Sequence, residues 1–454
     1  MKPILLLLLS LLTMQAQTIA PEGYRGSVVN GQATPTPFGL SLQDAIARGI
    51  KNNIGLLVRG SDASEARADR LRALSALMPN ITGSASVVVA QNNLTTFGIQ
   101  VPGFPPVVGP FNYIDARASV STSVFDWALI KRLKAATENA LASQLSIDDG
   151  RDLVVEAVAS GYFAILADVG RVEVTKNQLD LSLQLYQIAK DNHAAGVVPA
   201  IDELRANVES QKQQQTLLAV QNQLGKDKLA LARVIGLPGG QEFNATDPAP
   251  YKALDGLTPD QLLTKAYRLR SDYQSMEARV RASALSLKAA DAERYPTVSL
   301  DGYYGDTGPA IGNSHGVFNV TGSLQFNIFD GGRIRADQET ASSILKRRQN
   351  DLDDLRGKID YDVRNALLDL KTAADQVAIA KVSLDLAQET LNQARDRYVA
   401  GVGSGIELVD AQVSLASANQ DVISAAYAHN LAKVQLARAV GGTQTTLKEF
   451  LGDK

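Results

Sequence analysis

The sequence predicts a mostly α-helical chain that also carries four membrane-directed β-strands. Three observations lead there: an internal repeat at an offset of 205 residues, helical stretches far longer than ordinary globular helices, and β-segments with one apolar and one polar face. Residues 189–236 align without a gap onto 394–441. Ala195-Gly196-Val197 matches Ala400-Gly401-Val402, Leu231-Ala232-Arg233 matches Leu436-Ala437-Arg438, and Gly236 and Gly441 close the two copies. At a slightly different offset the match reaches Phe125-Asp126 with Phe329-Asp330, and it extends to the fronts of both halves, where Pro79 corresponds to Pro296.

In chain order, residues 1–20 read as a secretory signal peptide: Lys2 precedes an apolar run through Leu12 that is too short to span a bilayer, and Ala16 and Ala20 are small enough for cleavage. Residues 21–39 are expected to form an N-terminal periplasmic segment. Repeat 1 covers 40–236, a Pro- and Gly-bearing linker covers 237–256, repeat 2 covers 257–441, and a tail covers 442–454. Each repeat reads as helix, two strands, long helix, turn, helix. No later stretch reaches eighteen uninterrupted apolar residues, so no membrane-spanning helix is expected.

The long helices run from Ala128 to about His193 and from Gly332 to about Tyr398, with few breakers between. If continuous, each would be roughly 100 Å long at ~1.5 Å per residue; the alternative is two or three ordinary helices folded into a bundle. Val377, Ala380, Leu384, Ala387, Leu391, Ala394 and Tyr398 form a heptad stripe in which bulky residues alternate with alanine. Val172, Thr175, Leu179, Ser182, Tyr186, Ala189 and His193 hold the equivalent places in repeat 1. Large-then-small packing lets backbones approach closely, as the walls of an antiparallel coiled coil require.

The strands alternate with period two. Phe318, Val320, Gly322, Leu324, Phe326 and Ile328 face one way and Asn319, Thr321, Ser323, Gln325 and Asn327 the other; Ile114, Ala116, Ala118, Val120 and Val124 form a second such set, and the segments 81–90 and 297–305 are weaker versions. This pattern suits a barrel with lipid outside and water inside, or the outer sheet of a soluble sandwich. Gly-, Pro- and Asn-rich segments at 91–111 and 306–316, expected as exposed hairpin tips, favour the barrel. Four strands cannot close a barrel, and open edges in hydrocarbon cost several kcal/mol per orphaned group. Closure must come from several copies: two would give eight strands, three would give twelve, and a conducting lumen favours three.

Composition excludes several function classes. Forty-eight acidic against forty-five basic residues leave a formal charge of −3, so there is no basic field to gather nucleic acid. With no Cys there is no disulfide, thiolate site, thiol nucleophile or lipid-bearing cysteine. The three His (193, 315, 429) stand in no metal-ligand pattern, and no cofactor is expected. Gly312-Asn313-Ser314-His315-Gly316 satisfies GxSxG, but a strand follows it where a nucleophile elbow needs a helix. Gly401-Val402-Gly403-Ser404-Gly405 imitates half a dinucleotide fingerprint, but a helix leads into it. No enzyme activity is expected.

The duplicated plan, the Phe329-Asp330-Gly331-Gly332-Arg333 run and the Tyr398-x-x-Gly401-x-x-Ser404 turn followed by Glu407 and Asp410 resemble the TolC family of outer-membrane efflux proteins, from about Leu40 to Gly441. The resemblance implies a homotrimer with a twelve-stranded outer-membrane barrel and a long periplasmic helical tunnel. It implies docking to a periplasmic adaptor protein and, through it, an inner-membrane pump, for export of drugs, metals or polypeptides. Glu407 and Asp410 are then expected to ring the closed periplasmic aperture, with Asp202 and Tyr398 in the closing network and Gly196, Pro199, Gly401 and Ser404 in the adaptor-contact turns. Gly403 stands where a family arginine ties the gate, so the latch is expected to be looser or built differently.

Simpler roles compete for these residues. Ser404-x-x-Glu407 is a capping box, which is compatible with pore lining. Asp202 suits a first helical turn, Tyr398 suits the core stripe, and Gly196 and Gly401 suit helix ends. A type I protein-secretion duct is the alternative within the class, and an exported coiled-coil scaffold the alternative outside it. Four methionines, two of them in the leader, disfavour dedicated copper or silver export.

Overall fold

A computed structural model describes residue 24 and residues 26–98, 102–247, 252–254, 256–400 and 402–451. The expected leader and residues 21–23 therefore lie outside the described residues, as do Gly401 and residues 452–454 of the tail. The chain divides into two compact units: Met1–Arg59, Ile147–Ser271 and Gly357–Lys454 form the first, and Gly60–Ser146 and Asp272–Arg356 the second.

The element order is β1 (Phe38–Leu40), α1 (Leu42–Asn52), α2 (Ile54–Ser75), β2 (Asn80–Asn93), β3 (Val107–Phe125), α3 (Trp127–Ala194), α4 (Ala200–Ile235), β4 (Phe243–Ala245), α5 (Pro259–Leu269), α6 (Ser271–Ala292), β5 (Thr297–Ala310), β6 (Asn313–Gln325), α7 (Arg333–Val399), α8 (Gly405–Val440) and α9 (Thr443–Leu451). The helices pair in length: 11 and 11 residues for α1 and α5, 22 and 22 for α2 and α6, 68 and 67 for α3 and α7, 36 and 36 for α4 and α8. Thus α3 and α7 are single helices, not the broken bundle. The single helix expected before each strand pair is instead two. Asn53 breaks the first: its buried side chain donates to Tyr24 O at 2.8 Å and accepts from Gly55 N–H at 3.0 Å, satisfying an amide that a continuous helix would pair internally. Arg270, with extended backbone, breaks the second.

In the first unit a short parallel sheet, absent from the sequence reading, pairs Phe38 with Phe243 and Leu40 with Ala245. Tyr162 of α3, fully buried, donates its hydroxyl to Leu40 O at 2.9 Å and accepts from Thr246 and Asp247 N–H. The same unit carries a largely buried charge network. Arg438 of α8 reaches Asp149 at 2.7 Å and Glu156 at 3.8 Å, and Arg59 shares Asp149 at 3.1 Å. Asp152 accepts from Gly442 and Thr443 N–H, capping α9 from α3, and Arg270 reaches Asp362 at 3.3 Å. Burial pushes the Glu156 and Asp152 carboxyls up, with Arg438 opposing. α3 contains a window apolar enough to cross a membrane by length and composition, but 61% of that window is buried, and Val154, Val158, Tyr162 and Ile165 pack in this core.

Of the α7 heptad, Val377, Ala380, Leu391, Ala394 and Tyr398 are buried as expected, and Leu384 and Ala387 are half-buried against the same cluster. On α3 the stripe differs. Thr175, Ser182 and Ala189 are buried, but Leu185 replaces Tyr186 in the core and His193 is exposed. The intervening partner lies three residues after Ser182 instead of four, a slip that helical geometry allows because 3.6 residues per turn fits neither spacing. Leu185 joins Leu391, Ala394 and Tyr398 of α7 and Leu408, Ala411 and Leu415 of α8 in one cluster.

In the second unit β2, β3, β5 and β6 form one antiparallel sheet in the order β2-β3-β5-β6. The register puts Val320 opposite Gly302, Gly302 opposite Val120, and Val120 opposite Ile81, so one face is shared across all four strands. On it Ile81 is 73% exposed, Phe318 77% and Val320 68%. The other face carries Ser119, Ser121, Tyr303, Asp301, Asn319 and Thr321; Arg117 lies 4.5 Å from the Tyr303 ring centre and bonds Asp115 at 2.5 Å. Three expectations need correction. Val124 sits in a bulge, so Phe125 takes the place opposite Val298. Phe326 and Ile328 lie past the end of β6. Most of 306–316 is strand, leaving a turn only at 311–312, because Gly305 and Gly308 serve close strand approach: a Cβ there would fall 2.4 Å from Ala116 O and 2.2 Å from Asn313 O.

Below the sheet, Asp126 accepts from Leu129 N–H, and Asp330 accepts from Gly332 and Ile334 N–H, so the Phe-Asp pairs of the repeat open both long helices. Those amide bonds hold the Asp330 carboxyl below the usual carboxylate range. Gly331 and Gly332 have φ of 68° and 90°, the left-handed turn that Gly permits. Ala128, Ala135 and Ala142 of α3, seven apart, are buried, as are Ala278, Ala282 and Ala289 of α6; Ser275 Oγ donates to Ala142 O at 2.8 Å between the two helices.

Two outcomes follow. Arg438→Ala removes the cation beside the largely buried Glu156 and leaves Asp149 with Arg59 alone, and should cost about 3 kcal/mol, read from the denaturant midpoint. Val320→Arg should weaken folding into lipid vesicles by about 2–4 kcal/mol, whereas Asn319→Arg, on the opposite face, should be tolerated.

Candidate functional site: the two helix turns

The expected aperture residues lie on the helix ends that flank the turns α3–α4 and α7–α8, both in the first unit. In the first turn Gly196, with φ 74°, ends α3, and its N–H reaches His193 O. Pro199 is the N-cap of α4 without a side-chain cap, and Asp202 and Glu203 fill the first helical turn, where the helix dipole favours them. His193 Nδ1 meets Glu203 Oε2 at 2.6 Å across the turn, a contact that sequence spacing did not reveal.

In the second turn Val402 and Gly403 both donate N–H to Arg397 O at 3.0 Å. Ser404 caps α8, its hydroxyl accepting from Glu407 N–H at 3.2 Å. Glu407 itself reaches Arg397 Nη1 at 3.5 Å, so its carboxylate serves an ion pair across the turn and not the reciprocal arm of a capping box. Both side chains are more than two-fifths exposed, which makes the pair weak. The glycine at 403 is a steric requirement: a Cβ there would stand 2.9 Å from Tyr398 N and 3.0 Å from Arg397 C. The neighbouring arginine on α7 supplies the positive charge in this turn.

The two turns meet at Asp202. A Cβ on Gly405 would come 3.1 Å from Asp202 Cγ, so the carboxylate lies against the opening of α8. Asp202, Tyr398, Gly405 and Leu408 share the wall of a cavity of about 20 Å³. Tyr398 is 6% exposed within the core cluster and hydrogen-bonds Asn192, while burial and the nearby Asp202 push its hydroxyl pKa up. Tyr398 is therefore a core residue and a neighbour of Asp202 at once. Asp410 stands elsewhere: exposed, it lines an open groove of about 490 Å³ between α4 and α8 with Ile201, Leu204, Val208 and Ile406. Asp202 and Tyr398 are thus brought together, whereas Glu407 and Asp410 point to different surroundings. Arg205, 3.4 Å from Asp202, and the buried Glu209 complete the groove's charges. Gly403→Ala should cost about 1–3 kcal/mol through overpacking, read as a lowered thermal midpoint.

Comparison with known proteins places this geometry. The family model described as outer membrane efflux protein matches residues 51–237 and 262–442. The chain is similar to a probable efflux pump outer membrane protein, TtgC of Pseudomonas putida, at 24% identity over 88% of this chain and 83% of that protein. It is 26% identical to the cation efflux system protein CusC of Escherichia coli over 70% of this chain and 71% of that one. A crystal structure of CusC superposes with a TM-score of 0.77 at 21% identity, covering 93% of this chain and 99% of that chain. With both halves matched, the chain belongs to the outer membrane efflux protein family, which forms passive outer-membrane channels and not enzymes.

Proposed function

We propose that three copies of this chain close a twelve-stranded barrel in the outer membrane and that their helices wall a periplasmic duct. The observation that carries this reading is the sheet: β2 and β6 are edges without a strand neighbour among the described residues, and the sheet's apolar face is open. Hydrocarbon offers neither edge a hydrogen-bond partner, so β6 of one copy pairs with β2 of the next until the sheet closes. The serine-, threonine- and asparagine-rich face then lines water. Trp127, Tyr295, Phe326 and Phe329, all exposed at the periplasmic ends of the strands, suit the lipid headgroup layer.

In this reading the protein supplies no energy. A periplasmic adaptor engages the turns at Gly196–Pro199 and Gly401–Ser404 and shifts the helix ends from closed to open, while an inner-membrane pump drives the cargo. Exposed Val197 and Val402 give those turns apolar tips for such a contact. Three-fold symmetry makes each exposed Asp410 one of three carboxylates, a ring that attracts cations and repels anions. Asp202 and Tyr398 hold the α3–α4 and α7–α8 turns together in the closed state.

The test is electrical. Purified oligomer in planar bilayers should show a small, cation-preferring conductance, and Asp410→Asn should weaken that preference without lowering the number of channels. Unchanged selectivity in the variant would remove Asp410 from the pore.

A further inference from the structure

Where β6 runs into α7, the second unit holds a cavity of about 330 Å³ that conduction through the duct does not use. Its wall includes Asp126 and Arg132 at the start of α3, Glu293 and Tyr295 between α6 and β5, and Phe326 and Arg333 between β6 and the first residue of α7. Glu293, whose side chain is 14% exposed, spends its two oxygens on two arginines: Oε1 accepts from Arg132 Nη2, and Oε2 accepts from Arg333 Nη1 at 2.8 Å. Asp337 accepts from the same Arg333 Nη1 at 2.9 Å. One carboxylate thus holds guanidiniums from two different helices side by side, although like charges repel. A guanidinium carries five N–H donors in a planar fork. Among the described residues, Nε and Nη1 of Arg132 and Nε and Nη2 of Arg333 make no hydrogen bond, and both side chains are about half exposed. The remaining acid of the wall, Asp126, is engaged by Leu129 N–H at 3.0 Å. The apolar part of the wall is open as well: Tyr295 and Phe326 are exposed, as are Trp127 and Phe329 beside them in the chain.

We propose that this cavity binds one glycerophospholipid per chain, with Arg132 and Arg333 donating to the phosphodiester oxygens and Tyr295 and Phe326 flanking the glycerol and the start of the acyl chains. Guanidinium forks match phosphate oxygens in geometry, and such charge-assisted bonds are short and strong. Glu293 positions the two forks, and an anion on their open side relieves the repulsion between them. The aromatic side chains are of the kind that settles where hydrocarbon gives way to headgroups. The inference rests on the proposed placement of the strands in the outer membrane, and it adds a lipid that fixes the depth at which the sheet rides.

Native mass spectrometry of the full-length oligomer in detergent, titrated with dioleoyl phosphatidylethanolamine, tests the site and counts the chains in the same spectra. The wild type should retain one lipid per chain. Dioleoylglycerol, with the same acyl chains and no phosphate, should be retained about tenfold less. Arg132→Gln combined with Arg333→Gln should lower phospholipid retention by about tenfold or more. Arg281→Gln, which removes an equal charge from the Glu138 pair elsewhere in the unit, should leave it unchanged. Equal retention of dioleoylglycerol and phospholipid by the wild type would overturn the proposal, whatever the variants do. So would unchanged retention in the double variant, or an assembled wild type that retains no lipid; either result leaves the duct standing. A wild type that stays monomeric would instead contradict the duct, and the headgroup placement with it.

Discussion

A backbone amide or carbonyl turned toward hydrocarbon has no water to bond, and this single constraint organises what the chain must do with its strands. The sheet β2-β3-β5-β6 satisfies its three internal ladders and leaves two rows of groups at β2 and β6. Its apolar face, from Ile81 through Val120 and Gly302 to Val320, asks for lipid, and lipid makes the open edges intolerable. The edges and the face impose opposite demands on a solitary chain. Self-association that closes the sheet meets both at once.

The helical part solves a different problem, which is to build a long wall without a globular core. It does so by alternating large and small residues at heptad positions, with alanine steps on α3 and α6 that bring backbones close. Such a wall slides easily along its axis, since one alanine step resembles the next. The acidic side chains of α3, where Arg438 bridges Asp149 and Glu156 and Asp152 caps α9, fix the register of α3 against α8 and α9. The sheet of β1 and β4 and the Tyr162 hydroxyl add a second fixed point. At the other end of these helices the polar contacts are more exposed: the Ser404 cap, the pairs of Arg397 with Glu407, Arg205 with Asp202 and His193 with Glu203, and a small cavity beside Asp202. This gradient from tight to loose within one unit is what a duct that opens at its turns requires.

Much of this was legible in the sequence, and the reasons differ by element. Period and repetition read through directly, so the two long helices, the α7 stripe and the two faces of the sheet needed only counting. The α3 stripe was misplaced at Tyr186 and His193 because a half-step of drift is invisible when neighbouring residues are all plausible core. The hairpin of β5 and β6 was read too short because glycine signals both a turn and a close strand contact. The ion pair of Arg397 with Glu407 and the meeting of Asp202 with Gly405 join residues that no local pattern relates. Gly403 reads in the sequence as a missing arginine; the structure makes it the place where the chain passes too close for any side chain.

The measurement that bears most directly on this account is the number of chains per assembly in a lipid nanodisc, taken from native mass spectrometry of the full-length protein. The account predicts three, with no free monomer surviving in lipid. A stable single chain in the bilayer, or an assembly whose strand count cannot close, would contradict it.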